Sequence, residues 1–329
     1  MREALLFAAV CLSACGDNLA APEPPAPDAG EDPLITRGRY LVNDVSQCPF
    51  CHTPRRPDGA PDATRFLAGV DCIFDAVPED PEAGCINTRN LTDHPTGLAN
   101  ASDEEIKDAF LNGIGTDGRN LIGLMPYWVF HNMTDEDADS IVAYLRTLTP
   151  VQHMTPPNQP PFTPPPPATL PPIDPDDIPM PSDGFPEAES ALRGRYLSSM
   201  VSVCVDCHTP EIEPGSFMFD FEKIFAGGRG FPAALFGYPV PPYPEVIFTS
   251  NLTPHATGLE GYRLDDVVKV MKEGLDKDGN GVCAPTHSGP SSPYAGLTDA
   301  DVTDIANYVL SLPPVDNMVP VDCIGPPPS

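Results

Sequence analysis

The chain has 329 residues, a length that suits two modest domains better than one. With 45 Pro, 26 Gly and 20% charged residues it is loop-rich, while a hydrophobic fraction of 41% excludes wholesale disorder. Lys and Arg number 18 against 47 Asp and Glu, a net charge of −29 that repels phosphate backbones and excludes nucleic acid as a natural partner; a protein partner with a basic docking patch is the complementary expectation.

The chain opens as an export leader. Arg2 supplies a small positive n-region, and the apolar run 4–12 that follows is too short to span a bilayer. Leu12-Ser13-Ala14-Cys15 then resembles the bacterial lipobox. That resemblance implies a signal peptide over 1–14, a lipid anchor on Cys15, and an exported lipoprotein held on a membrane in the periplasm or at the cell surface. The proline-rich stretch 15–33 reads as a spacer behind the anchor.

From there the sequence says the same thing twice. Arg37-Gly38-Arg39-Tyr40-Leu41 recurs as Arg193-Gly194-Arg195-Tyr196-Leu197, and Cys48-Pro49-Phe50-Cys51-His52-Thr53-Pro54 recurs as Cys204-Val205-Asp206-Cys207-His208-Thr209-Pro210. Asn90-Leu91-Thr92 with His94 returns as Asn251-Leu252-Thr253 with His255. Two homologous domains, 34–149 and 187–325, are the economical reading. The proline-dense linker 150–186 between them predicts extended polyproline II that spaces the two.

Within each copy the apolar periodicity is helical. Ser102 with Glu105 forms a capping box ahead of Ile106, Ala109 and Phe110, and Leu264, Val267, Val268 and Met271 mark the equivalent helix. Thr134 caps a last helix with Ile141, Val142, Leu145 and Leu148 on its buried stripe; Thr298 with Val302, Ile305, Val309 and Leu312 repeats it. No strand signal of useful length is found, so the fold class is mostly α, with long irregular loops.

Cys-x-x-Cys-His in an exported chain is the haem c attachment motif: two thiols three residues apart reach the two vinyl groups, and the adjacent His reaches the iron. Cys48, Cys51 and His52 form one site and Cys204, Cys207 and His208 the other, which gives two covalently bound haem c groups as cofactors. With these residues the chain resembles a bacterial dihaem class I cytochrome c, similar to the cytochrome subunits of periplasmic dehydrogenases. The resemblance covers 34–149 and 187–315 and implies two tandem class I cytochrome c-like helical domains. In that family an N-terminal helix with a Gly and an aromatic crosses a C-terminal helix with a Tyr-Leu pair. Gly38, Tyr40, Tyr144 and Leu145 match, as do Gly194, Tyr196 and Tyr308, although Val309 replaces Leu.

The family's sixth iron ligand is a Met before a Pro, and Met125-Pro126 stands in that place, with Met133 or Met154 as the alternative. His52 with Met125 implies a comparatively high potential, because a thioether favours ferrous iron. The second copy has Gly289-Pro290 there instead. Three alternatives stay open: His287 as a second imidazole ligand, a Met from elsewhere (Met218, Met271 or Met318), or an open iron with His287 as a distal group. The remaining histidines read as structural: His94 and His255 as loop residues that fix a turn or a haem carboxylate, His131 and His153 as surface residues. Asp276-Lys277-Asp278-Gly279-Asn280 imitates the start of a calcium loop but lacks its Glu, and reads as a turn. Cys72, Cys85, Cys283 and Cys323 are left after the leader, anchor and haem cysteines; three pairings are possible, with Cys72–Cys85 and Cys283–Cys323 the local ones. The function implied is one-electron transfer between a periplasmic donor and a respiratory or extracellular acceptor. The alternative is a peroxidase-like haem enzyme with the second haem as an open catalytic site.

Overall fold

The computed structural model describes residues 30, 32–57, 59–75, 84–163, 165–233, 244–282, 293–320 and 324–325. Among these residues the chain is mostly α-helical, and the helices come twice in the same order. In the first half α1 (Pro33–Tyr40) runs into a π-helical turn (Leu41–Val45), followed by α2 (Cys48–His52), α3 (Asp103–Asn112), α4 (Tyr127–Phe130) and α5 (Asp135–Leu145). In the second half α6 (Ala188–Tyr196) again ends in a π-helical turn (Leu197–Val201), then come α7 (Cys204–His208), α8 (Leu264–Glu273) and α9 (Asp299–Ser311). A 3₁₀ turn, Pro293–Gly296, precedes α9. None of the described helices is long and apolar enough to cross a membrane.

The caps fall where the sequence puts them. Ser102 and Glu105 close a reciprocal box on α3, and Thr134 and Thr298 accept from Asp137 N and Asp301 N at the starts of α5 and α9. Extended structure is confined to pairs of two or three residues: β1 (Phe74–Asp75) with β2 (Cys85–Ile86), β3 (Gly230–Pro232) with β4 (Val246–Phe248), and β5 (Gly281–Val282) with β6 (Ile324–Gly325). The Cys72–Cys85 disulfide closes the first of these loops. Cys283, Cys323 and His287 lie outside the described residues.

The repeated Arg-Gly-Arg-Tyr segment is explained by what each residue meets. α1 crosses α5 so closely that a Cβ on Gly38 would lie 1.8 Å from Ser140 O, and a Cβ on Gly194 would lie 1.9 Å from Asp304 O. Only glycine fits at either crossing. The preceding arginines pair with the terminal helix of the same half, Arg37 with Asp137 at 2.8 Å and Arg193 with Asp304 at 2.7 Å. The tyrosines do something else: they reach the other half. Tyr40 donates to Asp301 at 2.5 Å and accepts from Thr298 N at 3.2 Å, at the cap of α9. Tyr196 donates to Asp137 at 2.8 Å and accepts from Thr134 N at 3.1 Å, at the cap of α5. The two halves therefore exchange helix caps.

Further contacts fix the same interface. Ser46 donates to Val201 O at 2.8 Å, and Trp128 of α4 stacks on Phe219 of the second half at 4.4 Å. Behind Phe219 lies Arg229, 7% exposed, with its guanidinium 4.9 to 5.6 Å from the rings of Phe231, Phe219 and Phe217. It holds Asp206 at 2.6 Å, and Glu211 lies 3.1 Å from it without hydrogen-bond alignment. The segment expected to space the halves is instead strapped to both. Ile173 and Ile178 are fully buried, Ile173 N donates to Trp128 O, and Tyr308 donates to Pro179 O.

Two expected outcomes follow from this packing. Tyr40→Phe and Tyr196→Phe each lose about 1–3 kcal/mol, since each phenol bonds a carboxylate and a cap N–H, and the two losses should be similar because the contacts are reciprocal. Urea unfolding of the single and double variants measures both. Arg229→Ala strands two buried carboxylates and costs about 3–5 kcal/mol in the same assay; a loss under 1 kcal/mol would show that the cluster is solvated.

Candidate functional site

Each Cys-x-x-Cys-His sequence forms one helical turn, α2 or α7, so a spacing of three brings both thiols to one side with the His directly after. All four thiols are free. Burial pushes Cys48 up to about 12, and burial together with the Asp206 carboxylate of the other half pushes Cys51 up to about 11. Burial raises Cys204 and Cys207 as well. Burial thus favours the protonated thiols. Ser46 and Val201, just ahead of the two motifs, are hydrogen-bonded at 2.8 Å, which places the two attachment turns close together.

The two histidines are held identically. His52 Nδ1 lies 2.8 Å from Arg89 O, and His208 Nδ1 lies 2.8 Å from Ser250 O. A carbonyl only accepts, so Nδ1 carries the proton in both rings and Nε2 carries the lone pair that a metal needs. Burial lowers both imidazoles below their ordinary range, which keeps them neutral, the ligating form.

One cavity of about 1220 Å³ is lined by both motifs. A pocket for one ligand measures ~300–1,000 Å³, and this space exceeds that range. Its walls are mainly apolar, with Leu98, Phe110 and Leu145 from the first half and Leu259, Met271 and Val309 from the second. Met125 lines it together with His52, as does the alternative Met133, whereas Met154 is 77% exposed and does not. Of the alternative methionines, Met271 is buried and lines it at the position that Phe110 holds in the first half, whereas Met218 and Met318 are 58% and 79% exposed and do not. Polar and charged side chains also reach the cavity, Arg55, Arg89, Asp117 and Arg119 in the first half and Asp206 and Asp276 in the second.

The repeated Asn-Leu-Thr loops are turns built behind the cavity wall. Asn90 Oδ1 accepts from Thr92 N and its hydroxyl, His94 Nδ1 accepts from Thr96 N at 3.1 Å, and Asn90 Nδ2 donates to Val151 O at 2.8 Å. Asn251, Thr253, His255, Thr257 and Val315 repeat every one of these bonds. His94 and His255 thus fix a turn. His131 is exposed, bonded to Asn112. His153 is not a surface residue: its side chain is 14% exposed and donates to Ala68 O at 2.7 Å, and Asn317 makes the matching bond to Ala226 O. Asp276 accepts from Asp278 N and Asn280 N, which makes its loop the turn expected of it. Sequence reasoning misses the two carbonyls that hold the imidazoles, because any residue type supplies a carbonyl; their one trace is their place directly before the repeated Asn-Leu-Thr.

No family model matches the chain. It is 34% identical over 204 residues to the fructose dehydrogenase cytochrome subunit of Gluconobacter japonicus, which covers 59% of this chain and 39% of that one. It is 28% identical over 325 residues to the cytochrome c subunit of the quinone alcohol dehydrogenase of Komagataeibacter europaeus, covering 95% and 62% respectively. A diheme cytochrome c-type of Cereibacter sphaeroides matches at 33% over 122 residues, 36% of this chain and 37% of that one. The chain thus spans 39% and 62% of the length of the first two. With two Cys-x-x-Cys-His turns on a shared cavity, it is similar to the cytochrome c subunits of dehydrogenases and to a dihaem cytochrome c.

Proposed function

We propose that the chain is a dihaem electron-transfer cytochrome, made of two tandem class I cytochrome c-like domains over 34–149 and 187–325, that passes electrons one at a time from a dehydrogenase to a respiratory or extracellular acceptor. The observation that carries this reading is the single cavity with both attachment motifs on its wall and both histidines tied through Nδ1. When bound, haem c supplies one-electron iron chemistry at neutral pH.

The residues of the chain do the rest. Cys48 with Cys51, and Cys204 with Cys207, anchor the two groups; His52 and His208 present a neutral Nε2 to each iron. Met125 serves as the sixth ligand in the first half, and the apolar wall excludes water. His287 is the proposed sixth ligand in the second half. The Gly281–Gly325 and Val282–Ile324 pairs bring the chain next to Cys283 beside the chain next to Cys323, which supports a second disulfide. Anchoring through a lipid on Cys15, a place in the periplasm or at the cell surface, and a partner with a basic docking patch complete the proposal; the net charge of −29 supports the last.

The expected result is two covalent haems per chain by intact mass after maturation in a host that attaches haem c. The dithionite-reduced protein then shows no spectral shift with carbon monoxide, whereas in Met125→Ala about half of the haem responds. A chain that matures without covalent haem overturns the reading. A wild-type protein in which half of the haem binds carbon monoxide removes His287 from the ligand set and turns attention to the enzyme alternative.

A further inference from the structure

The repeat that makes the two haem sites look alike fails at the charged residues of the cavity wall. Three arginines line the first half: Arg55, Arg89 and Arg119. Their partners in the repeat are Glu211 after Thr209-Pro210, Ser250 before Asn251-Leu252-Thr253, and Asn280 after Asp278-Gly279. The match is structural as well as sequential, because Arg89 O and Ser250 O hold the two imidazoles, and Ile114 bridges Asn120 as Leu275 bridges Gly281. The second half offers the cavity Asp206 and Asp276 and no cation. Every Lys and Arg of that half lies among the described residues, so none is hidden from this comparison.

The three arginines are not equivalent. Arg55 is exposed, donates to Gly59 O and lies over Phe50, so solvent screens it. Arg89 and Arg119 are half-buried, and both line the cavity. Arg119 has Asp117 at 3.1 Å, whereas among the described residues Arg89 forms no ion pair and donates only to Thr155. Asp117 also acts on Arg89, but its ion pair is with Arg119, so the half-buried guanidinium of Arg89, a residue on the wall of the proposed haem cavity, keeps charge to offer a dicarboxylate cofactor.

We propose that Arg89 and Arg119 hold the carboxylates of the haem in the first half and make it the more oxidising of the two, so that electrons enter through the second half and leave through the first. The proposal rests on the haem reading above. Losing an electron adds one positive charge at the iron; Arg89 and Arg119 oppose this in the first half, Arg119 less so because Asp117 pairs with it, and Asp206 and Asp276 favour it in the second, Asp206 less so because Arg229 stands behind it. One electron then passes from ferrous iron in the second half to ferric iron in the first. A dehydrogenase-type reductant restores the one, and an oxidant of higher potential empties the other.

Spectroelectrochemical titration of the full, haem-loaded chain tests this. The double variant R89Q/R119Q lowers the more positive of the two midpoints and leaves the other in place, R89K/R119K restores it, and Asp276→Asn raises the less positive one. No shift in the Gln variant, or a shift of the less positive midpoint, overturns the proposal. Mass spectrometry of the unaltered chain separates the two levels: fewer than two covalent haems refutes the haem reading itself. If the double variant does not mature, Arg119→Gln alone, on a half-exposed loop, must show the same direction of shift.

Discussion

Everything in this structure depends on the exchange of helix caps between the halves. Tyr40 ends on the cap of α9 and Tyr196 on the cap of α5, each phenol bonding a carboxylate and the backbone N–H of the capping threonine. A cap is a local device, normally supplied by the residue that begins the helix. Here Thr134 and Thr298 already fill that role for the next turn, so the tyrosines add a second, nonlocal tie that exists only when both halves are folded and docked. The shared cavity follows from this. Two surfaces fixed by reciprocal bonds, by the Trp128–Phe219 stack and by a strap threaded past Ile173 and Ile178 leave one continuous space between the attachment turns.

The buried Arg229 cluster serves the same end at a cost. An Arg with two carboxylates in the interior gains less than an apolar group of the same volume would, because desolvation opposes the pairing. Its use is positional. Asp206 sits inside the second attachment motif and Glu211 just after it, so a guanidinium bonded to the first, close to the second and walled by three phenylalanines holds that turn against the rest of its half. The first motif has Pro49-Phe50 where the second has Val205-Asp206, and it is not braced in this way.

Much of this was legible in the sequence, and the physical reason is repetition. Two copies of Arg-Gly-Arg-Tyr-Leu and of Cys-x-x-Cys-His give the helical plan, the caps and the candidate ligands, since local rules at Ser102, Thr134 and Thr298 act within four residues. What stayed illegible is what spans the chain. Proline density at 150–186 predicts an extended segment, yet it says nothing about whether that segment is free, and burial of Ile173 and Ile178 decides that it is docked. The tyrosines read as part of a helix crossing inside one half, while their hydroxyls act on the other. His153 reads as a surface residue because it has no histidine counterpart, although Asn317 performs its bond in the second copy.

The same freedom lets the two halves differ at the cavity. Where His153 and Asn317 stand, evolution of one copy kept the bond and changed the residue, so the structural role survives a change of type. At Arg89 and Ser250 the backbone role survives in the same way, since both carbonyls hold an imidazole, but the side chains part: one copy brings a cation to the cavity and the other an uncharged hydroxyl. A duplicated unit whose frame is set by backbone atoms is free to vary the side chains at the same positions without disturbing the frame. Potential is sensitive to such charges while packing is not, so in the proposed dihaem reading a repeat of this kind separates the two requirements: its common bonds would place the irons, and its unequal charges would order them.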